Sequence, residues 1–169
     1  ANALNSLAAS LGENFILTIE VLSKIKGRVI ISGMGKSGHI AKKIAATMAS
    51  TGTPSFYVHP GEASHGDLGM ITKDDAVLAL SNSGETTELA DLIAYCKRFD
   101  IPLISITSRK NSTLDAASTL SFILPNAPEA CPMGLAPTTS TTLMLGLGDA
   151  IAVALLERKN FSPTDFQTF

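Results

Sequence analysis

The chain has 169 residues, 45% hydrophobic and 17% charged, enough for one domain with a sizeable core. A formal net charge of -2 gives no basic surface for nucleic acid or anionic lipid, and 5% aromatic residues without tryptophan weaken base stacking further. Two cysteines, Cys96 and Cys131, make neither a disulfide framework nor a metal motif, so two reduced thiols in a cytoplasmic protein are expected.

Ala1-Asn2-Ala3-Leu4 lacks the basic start of a signal peptide, and it lacks an initiator methionine, so the start reads as a cut boundary. Leu4, Leu7, Leu11, Phe15, Ile19 and Leu22 recur every three or four residues and predict an amphipathic helix broken near Gly12. Residues 1–26 are thus an N-terminal helical extension, packed on its own domain or on another subunit. Arg28 to Ser32 carries Val29-Ile30-Ile31, a β-branched strand. Gly33-Met34-Gly35-Lys36-Ser37-Gly38 follows, and then a helix with Ile40, Ala41, Ile44, Ala45 and Met48 on one face. Strand, glycine loop and helix form the first unit of a parallel α/β sheet. Gly52-Thr53-Pro54 ends the helix, and Phe56-Tyr57-Val58 is the second strand.

Gly33-x-Gly35-x-x-Gly38 matches the glycine fingerprint of dinucleotide sites in form only. That motif needs a carboxylate about 20 residues on, at the end of the second strand, to hold a ribose. Val58-His59-Pro60 stands there, and Glu62 lies beyond the proline. Nor is the loop a phosphate-binding P-loop, because Ile30 occupies the position of its first glycine. Gly61 to Gly69 reads as a polar loop with Glu62, His65 and Asp67. A long loop at the edge of an α/β sheet tends to be functional. Small residues flank His65 and leave it accessible, but neither carboxylate has metal-ligand spacing with it.

Ala76 to Leu80 is a buried strand that runs into Ser81-Asn82-Ser83-Gly84-Glu85-Thr86-Thr87-Glu88. Leu89, Leu92, Ile93 and Cys96 then share one face of a helix. Unpaired amides at a helix start suit a phosphate. Ordinary N-capping by Ser83 is the competing explanation. It needs one hydroxyl, and four stand within seven residues here. Pro102 to Thr107 is the fourth strand, and Ser108 to Thr113 is a further hydroxyl-rich strand end, either bordering an anion site or solvated. Leu120 to Leu124 is the fifth. Pro125 to Pro137 holds four prolines, a stiff connection with Glu129 in the middle. Thr138-Thr139-Ser140-Thr141-Thr142 opens a long helix to about Arg158. Its hydroxyls cap the first turn or bond back to helix carbonyls. The most apolar segment, Leu143 to Leu156, is interrupted by Asp149 and too short for a membrane span. Phe161, Phe166 and Phe169 give the end of the chain apolar weight.

The expected fold is an α/β three-layer sandwich, a five-stranded parallel sheet flanked by helices. Ligands of such sheets bind at the carboxyl ends of the strands. Three glycine- or hydroxyl-rich strand ends collect there, with His65 and Glu129 on loops leaving the same edge, which points to a phosphorylated small molecule.

Gly-Met-Gly-Lys-Ser-Gly, His-Pro-Gly-Glu-Ala-x-His-Gly-Asp-Leu-Gly, Ser-Asn-Ser-Gly-Glu-Thr and Glu-Ala-Cys-Pro-Met-Gly-Leu-Ala-Pro-Thr resemble the sugar isomerase (SIS) domain of D-arabinose 5-phosphate isomerases. The resemblance runs from Gly27 onward and implies one SIS domain over residues 1–169, without the C-terminal pair of CBS domains most members carry. It implies interconversion of D-ribulose 5-phosphate and D-arabinose 5-phosphate for the lipopolysaccharide sugar Kdo, in a homotetramer with sites shared between subunits. Ser37, Ser81, Asn82, Ser83 and Thr86 match the phosphate-cradling positions. Lys36, His65, Glu88 and Glu129 match active-site positions. The family continues with a further active-site histidine one step past Phe169, so this chain reads as an excised domain.

Moving a carbonyl between C1 and C2 needs a carbon base, a stabiliser of the cis-enediolate oxygen and a hydroxyl proton shuttle, with no metal or redox cofactor. Glu129 is the expected carbon base, its pKa raised by desolvation, with the histidine past Phe169 as the alternative base and the four roles interchangeable. Lys36 would balance phosphate or enediolate charge, His65 would assist ring opening or proton transfer, and Glu88 would orient one of them. A non-catalytic phosphosugar sensor and an isomerase of another sugar phosphate are the alternatives.

Overall fold

The computed structural model describes residues 1–167; Phe169 and its expected apolar role lie outside them. Five parallel strands form one sheet: β1 (Val29–Gly33), β2 (Ser55–Val58), β3 (Ala76–Leu80), β4 (Leu103–Thr107) and β5 (Leu120–Ile123), in the order β2-β1-β3-β4-β5. β1, β3 and β4 are buried along their whole length, while the edge strands β2 and β5 are only partly covered. Helices on both faces account for this, and for the unbroken apolar runs in the sequence.

Strand side chains alternate between two cores. Val29, Ile31, Leu78, Leu80, Ile104 and Ile106 face one helical layer. It is built by α1 (Asn2–Ser10), α2 (Glu13–Lys24), α3 (Gly35–Ser50) and α7 (Thr139–Arg158). Ile30, Val77, Ala79 and Leu103 face the other. There lie α4 (Pro60–Ala63), α5 (Ala90–Phe99) and α6 (Thr113–Ala117). The short α8 (Pro163–Phe166) ends the described chain.

The break in the first amphipathic stretch falls where glycine stands, with Gly12 as N-cap residue of α2. This extension covers its own domain. Asn14 Nδ2 donates to Ser121 O at 3.0 Å, and the Phe15 and Phe122 rings meet edge-on with centroids 6.4 Å apart. The contact also shields the open edge of β5 from pairing with another strand.

The long helix opened by Thr138 runs to Arg158, as its sequence predicts. α7 runs 20 residues with a mean hydropathy of 1.5 over its most apolar window, long and apolar enough to cross a membrane by those two measures. Thr139 to Thr142 lengthen it beyond the run noted in the sequence. Its Leu143, Met144, Leu147, Ile151 and Leu155 are nonetheless buried in the core beside α3. Asp149 pairs with Lys43 across the two helices. At Gly148 a Cβ would lie 2.2 Å from Ile44 Cδ1, so this glycine sets how closely the helices approach.

The Gly61–Gly69 stretch is more ordered than a free loop. His59 N-caps α4, its Nδ1 accepting the Gly61 N–H at 3.1 Å, and a 3₁₀ turn follows over Asp67–Met70.

Candidate functional site

The strand order reverses between β1 and β3, and a crevice opens at such a reversal beyond the carboxyl ends of the strands. Gly33 and Leu80, the last residues of these strands, are register partners. From Gly33 the chain turns through Gly35 (φ 58°) into α3, whose first turn carries exposed Lys36 and half-buried Ser37. A Cβ at Gly38 would lie 2.6 Å from Gly33 O, so only glycine lets the helix start this close to the strand. The Tyr57 hydroxyl donates to the same carbonyl at 2.8 Å. His59, not a carboxylate, follows β2, in accord with the sequence argument against a ribose site.

The turn after β3 is fixed from within. Buried Ser81 shares a 2.7 Å hydrogen bond with Thr86 Oγ1, and its Oγ accepts the Gly84 N–H at 3.0 Å. The Ser83 hydroxyl accepts from Glu85 N at 3.2 Å, two residues on, while α5 has Leu89 at its N-cap position and no side-chain cap. Ser83 is therefore not the cap of that helix, and it stands exposed with Asn82 at the mouth of the crevice. Outer bonds hold the turn against the next strand end. Ser108 N donates to Asn82 O at 3.0 Å and Leu114 N to Gly84 O at 3.0 Å. The Glu85 carboxylate takes the Thr113 hydroxyl at 2.6 Å and its N–H at 3.0 Å, which holds its pKa below the usual range. Ser112 caps α6. Ser108–Thr113 thus buttresses the turn instead of lying free in solvent. Glu88 is exposed beside it and accepts the Thr87 hydroxyl at 3.0 Å.

Glu129 reaches the N-terminus of α7. Its Oε2 accepts Thr138 N at 2.7 Å, Thr138 Oγ1 at 3.1 Å and Ser140 N at 3.3 Å, and its Oε1 accepts the Ser140 hydroxyl. Partial burial pushes this carboxyl up, but the donors from Ser140 and Thr138 outweigh it and bring the pKa down to about 2. The expectation of a raised pKa is thereby overturned: desolvation is present, and hydrogen bonds to the charged form win. Thr141 and Thr142 bond back to Thr138 O at 3.0 and 2.8 Å, as expected of hydroxyls in a first turn.

A cavity of about 170 Å³ joins these parts, lined by Asn82 and Ser108 on one side and Asn126, Glu129 and Ser140 on the other. Lys36 and Ser37 stand beyond the end of β1, next to the Ser81–Thr86 turn that follows β3. His65 is placed differently. It follows β2, at one end of the sheet, whereas Glu129 follows β5, at the other. Four strand spacings of about 4.8 Å separate their parent strands by roughly 19 Å. Glu129 itself lies at the cavity beside Asn82, which follows β3, two strands from β2, and His65 is not among the residues lining that cavity. Sequence reasoning gave Thr138 and Ser140 only a helix-capping role and left Ser108 open. Their contacts with Glu129 and Asn82 span 9, 11 and 26 residues, beyond any local pattern.

Residues 21–154 match the family model of the SIS domain. The chain is similar to arabinose 5-phosphate isomerase KdsD of Pseudomonas aeruginosa, 57% identical over 165 residues that cover 98% of this chain and 51% of that protein. It is 54% identical to the protein of the same name from Escherichia coli K12 over 163 residues, covering 96% of this chain and 50% of that one. The chain spans about half the length of these curated relatives. Among solved structures, an E. coli CFT073 protein in complex with arabinose 5-phosphate superposes with a TM-score of 0.94 at 47% identity, over 99% of this chain and 89% of that one. The Vibrio vulnificus NanR protein complexed with ManNAc-6P shares the fold at 20% identity, with a TM-score of 0.82 over 99% of this chain and 63% of that one.

Proposed function

The chain belongs to the SIS domain family, and from that premise we propose that it is the catalytic domain of a cytoplasmic aldose–ketose isomerase that interconverts D-ribulose 5-phosphate and D-arabinose 5-phosphate for Kdo and lipopolysaccharide synthesis. The observation that carries this proposal is the shared cavity: Asn82 of the anion-binding turn and the Glu129 carboxylate line the same space. Identity of 57% to an arabinose 5-phosphate isomerase and 47% to a protein solved with arabinose 5-phosphate supports the choice of sugar.

In this proposal Ser37, Ser81, Asn82, Ser83 and Thr86 hold the phosphate. Ser83 offers it a hydroxyl from an exposed position and Asn82 its main-chain N–H, while Ser81 and Thr86 hold the shape of the turn through their mutual bond. Lys36, in the first turn of α3, balances the charge of the phosphate or the enediolate. Glu129, kept ionised by four hydrogen bonds, is a weak proton acceptor and serves to accept a sugar hydroxyl. The carbon proton then falls to a group other than Glu129, either exposed Glu88 on the turn after β3 or the histidine that the family carries past Phe169. Removal of a C1 proton from the ketose gives the cis-enediolate, and return of a proton to C2 gives the aldose. His65 moves the hydroxyl proton or opens the sugar ring. In this reading His65, which does not line the cavity shared by Asn82 and Glu129, serves the site of a neighbouring subunit in a homotetramer.

Incubation with ribulose 5-phosphate in deuterium oxide tests this. Arabinose 5-phosphate deuterated at C2 is the expected product. Binding without exchange would replace the enzyme with a sensor, and exchange into another sugar phosphate would replace the substrate.

A further inference from the structure

A carboxylate offers about four acceptor positions, two on each oxygen. In Glu129, Oε2 is saturated by Thr138 N, Thr138 Oγ1 and Ser140 N, while Oε1 takes only the Ser140 hydroxyl. One position on Oε1 is left, in the wall of the cavity. Across that cavity the Ser108 hydroxyl donates to the carbonyl side of the Asn82 amide, and it also reaches Asn82 O at 3.0 Å. The hydroxyl has one proton, and with it on Oδ1 the amide Nδ2 is left to donate.

We propose that Ser140 and Ser108 are positioning residues that present one acceptor, Glu129 Oε1, and one donor, Asn82 Nδ2, to a single hydroxyl of the sugar chain. This rests on the isomerase site proposed above and adds to it a determinant of substrate choice. A hydroxyl both donates and accepts, so it satisfies the two groups at once, whereas a methylene satisfies neither. A site built to bond a hydroxyl discriminates strongly against the analogue lacking it, because its own polar groups are then left unpaired. The cavity, about 170 Å³, is smaller than the roughly 300–1,000 Å³ of a whole small-molecule pocket, and Leu124, Pro125 and Leu143 close its apolar side. It therefore receives a part of the sugar and leaves the phosphate to the Ser81–Thr86 turn.

Two measurements in the full-length protein decide this. The first follows the Glu129 carboxyl carbon by NMR against pH without substrate. Ser140→Ala should move its midpoint from about 2 toward the ordinary value of roughly 4.3, and Ser140→Thr, which keeps the hydroxyl, should return it. A midpoint unmoved in Ser140→Ala overturns the clamp. The second compares kcat/KM for the pentose 5-phosphate with that for analogues lacking one hydroxyl at C3 or C4. The wild type should prefer the intact sugar over one of these by about 10-fold to 100-fold, and Ser108→Ala and Ser140→Ala should each shrink that ratio toward one. Inhibition by inorganic phosphate should stay unchanged in Ser140→Ala, whose hydroxyl touches Glu129 and not the phosphate turn. Equal losses for intact and deoxy sugars overturn the assignment. A wild type that binds no pentose 5-phosphate overturns the proposed function and the hydroxyl assignment with it, while the titration still decides the clamp.

Discussion

The Ser140 hydroxyl donates to Glu129 Oε1 across eleven residues of chain, closing the proline-rich connection onto the first turn of α7. An anion bonded to first-turn amides also complements the positive end of the helix. The carboxyl has a pKa of about 2 in the folded chain and roughly 4.3 when unfolded. A depressed carboxyl contributes stability that is complete above the unfolded value and disappears as pH falls through the folded one. Glu129→Gln should therefore lower Tm at pH 7, by about 2–4 °C for each kcal/mol lost. The gap between variant and wild type should narrow steadily below about pH 4 and vanish only below about pH 2. Thermal melts of the two proteins across that range check this. A gap of constant size would mean that packing, not charge, holds the loop.

Ser83 and Gly84 are adjacent and should fail in different ways. Ser83 is exposed, and in the proposed site its loss removes one donor from the phosphate. Ser83→Ala should raise KM or Ki about 10-fold for every phosphorylated ligand alike, leaving kcat within about a factor of two. Gly84 has φ 67°, and a Cβ there would lie 2.0 Å from Ser112 Oγ. Gly84→Ala should push the turn off the Ser108–Thr113 segment, losing phosphate affinity and stability together, the latter by about 1–3 kcal/mol. Calorimetric titration with inorganic phosphate, paired with denaturant melts, separates the two outcomes. A Gly84→Ala protein as stable as wild type would show that the backbone there adapts.

Much of the fold was legible because parallel strands buried on both faces read as continuous apolar runs. Val29-Ile30-Ile31 and Ala76 to Leu80 announce themselves, and Leu89, Leu92 and Cys96 mark the buried face that follows. The position of the Ser81–Thr86 turn was equally plain, since four hydroxyls exceed what capping needs. Strand order was not legible. Nothing in Phe56-Tyr57-Val58 or Leu120 to Leu124 says that these strands lie at opposite edges, which sets the strands that lead to His65 and Glu129 four spacings apart. The charge state of Glu129 was also hidden, because its donors lie 9 and 11 residues on, past a run of prolines.

The two thiols should differ sharply in reactivity. Burial pushes Cys96 up to about 12, whereas N–H donors from Ala136, Met133 and Leu135 pull Cys131 below its ordinary value. Thiolate is the nucleophile, so at pH 7 to 8 iodoacetamide should alkylate Cys131 well before Cys96. Peptide mass spectrometry over a time course reads the order, and equal rates in the native protein would contradict the burial of Cys96. In denaturant the difference should disappear.

His65 does not line the cavity that holds Glu129, and this makes a prediction about subunits. If one site takes Glu129 from one chain and His65 from a neighbour, then His65→Asn and Glu129→Gln proteins, each impaired alone, should complement when mixed. In a mixed pair one site inherits both defects and the other inherits neither, so turnover should return to an appreciable fraction of wild type after co-refolding or subunit exchange. Were both residues from one chain, every site in the mixture would keep one defect and no activity would return. Mass spectrometry of the intact assembly confirms that mixed oligomers have formed, so a silent mixture is decisive against sharing. Recovery that scales with the product of the two subunit fractions would tie the effect to a paired contact and not to stabilisation of one mutant by the other.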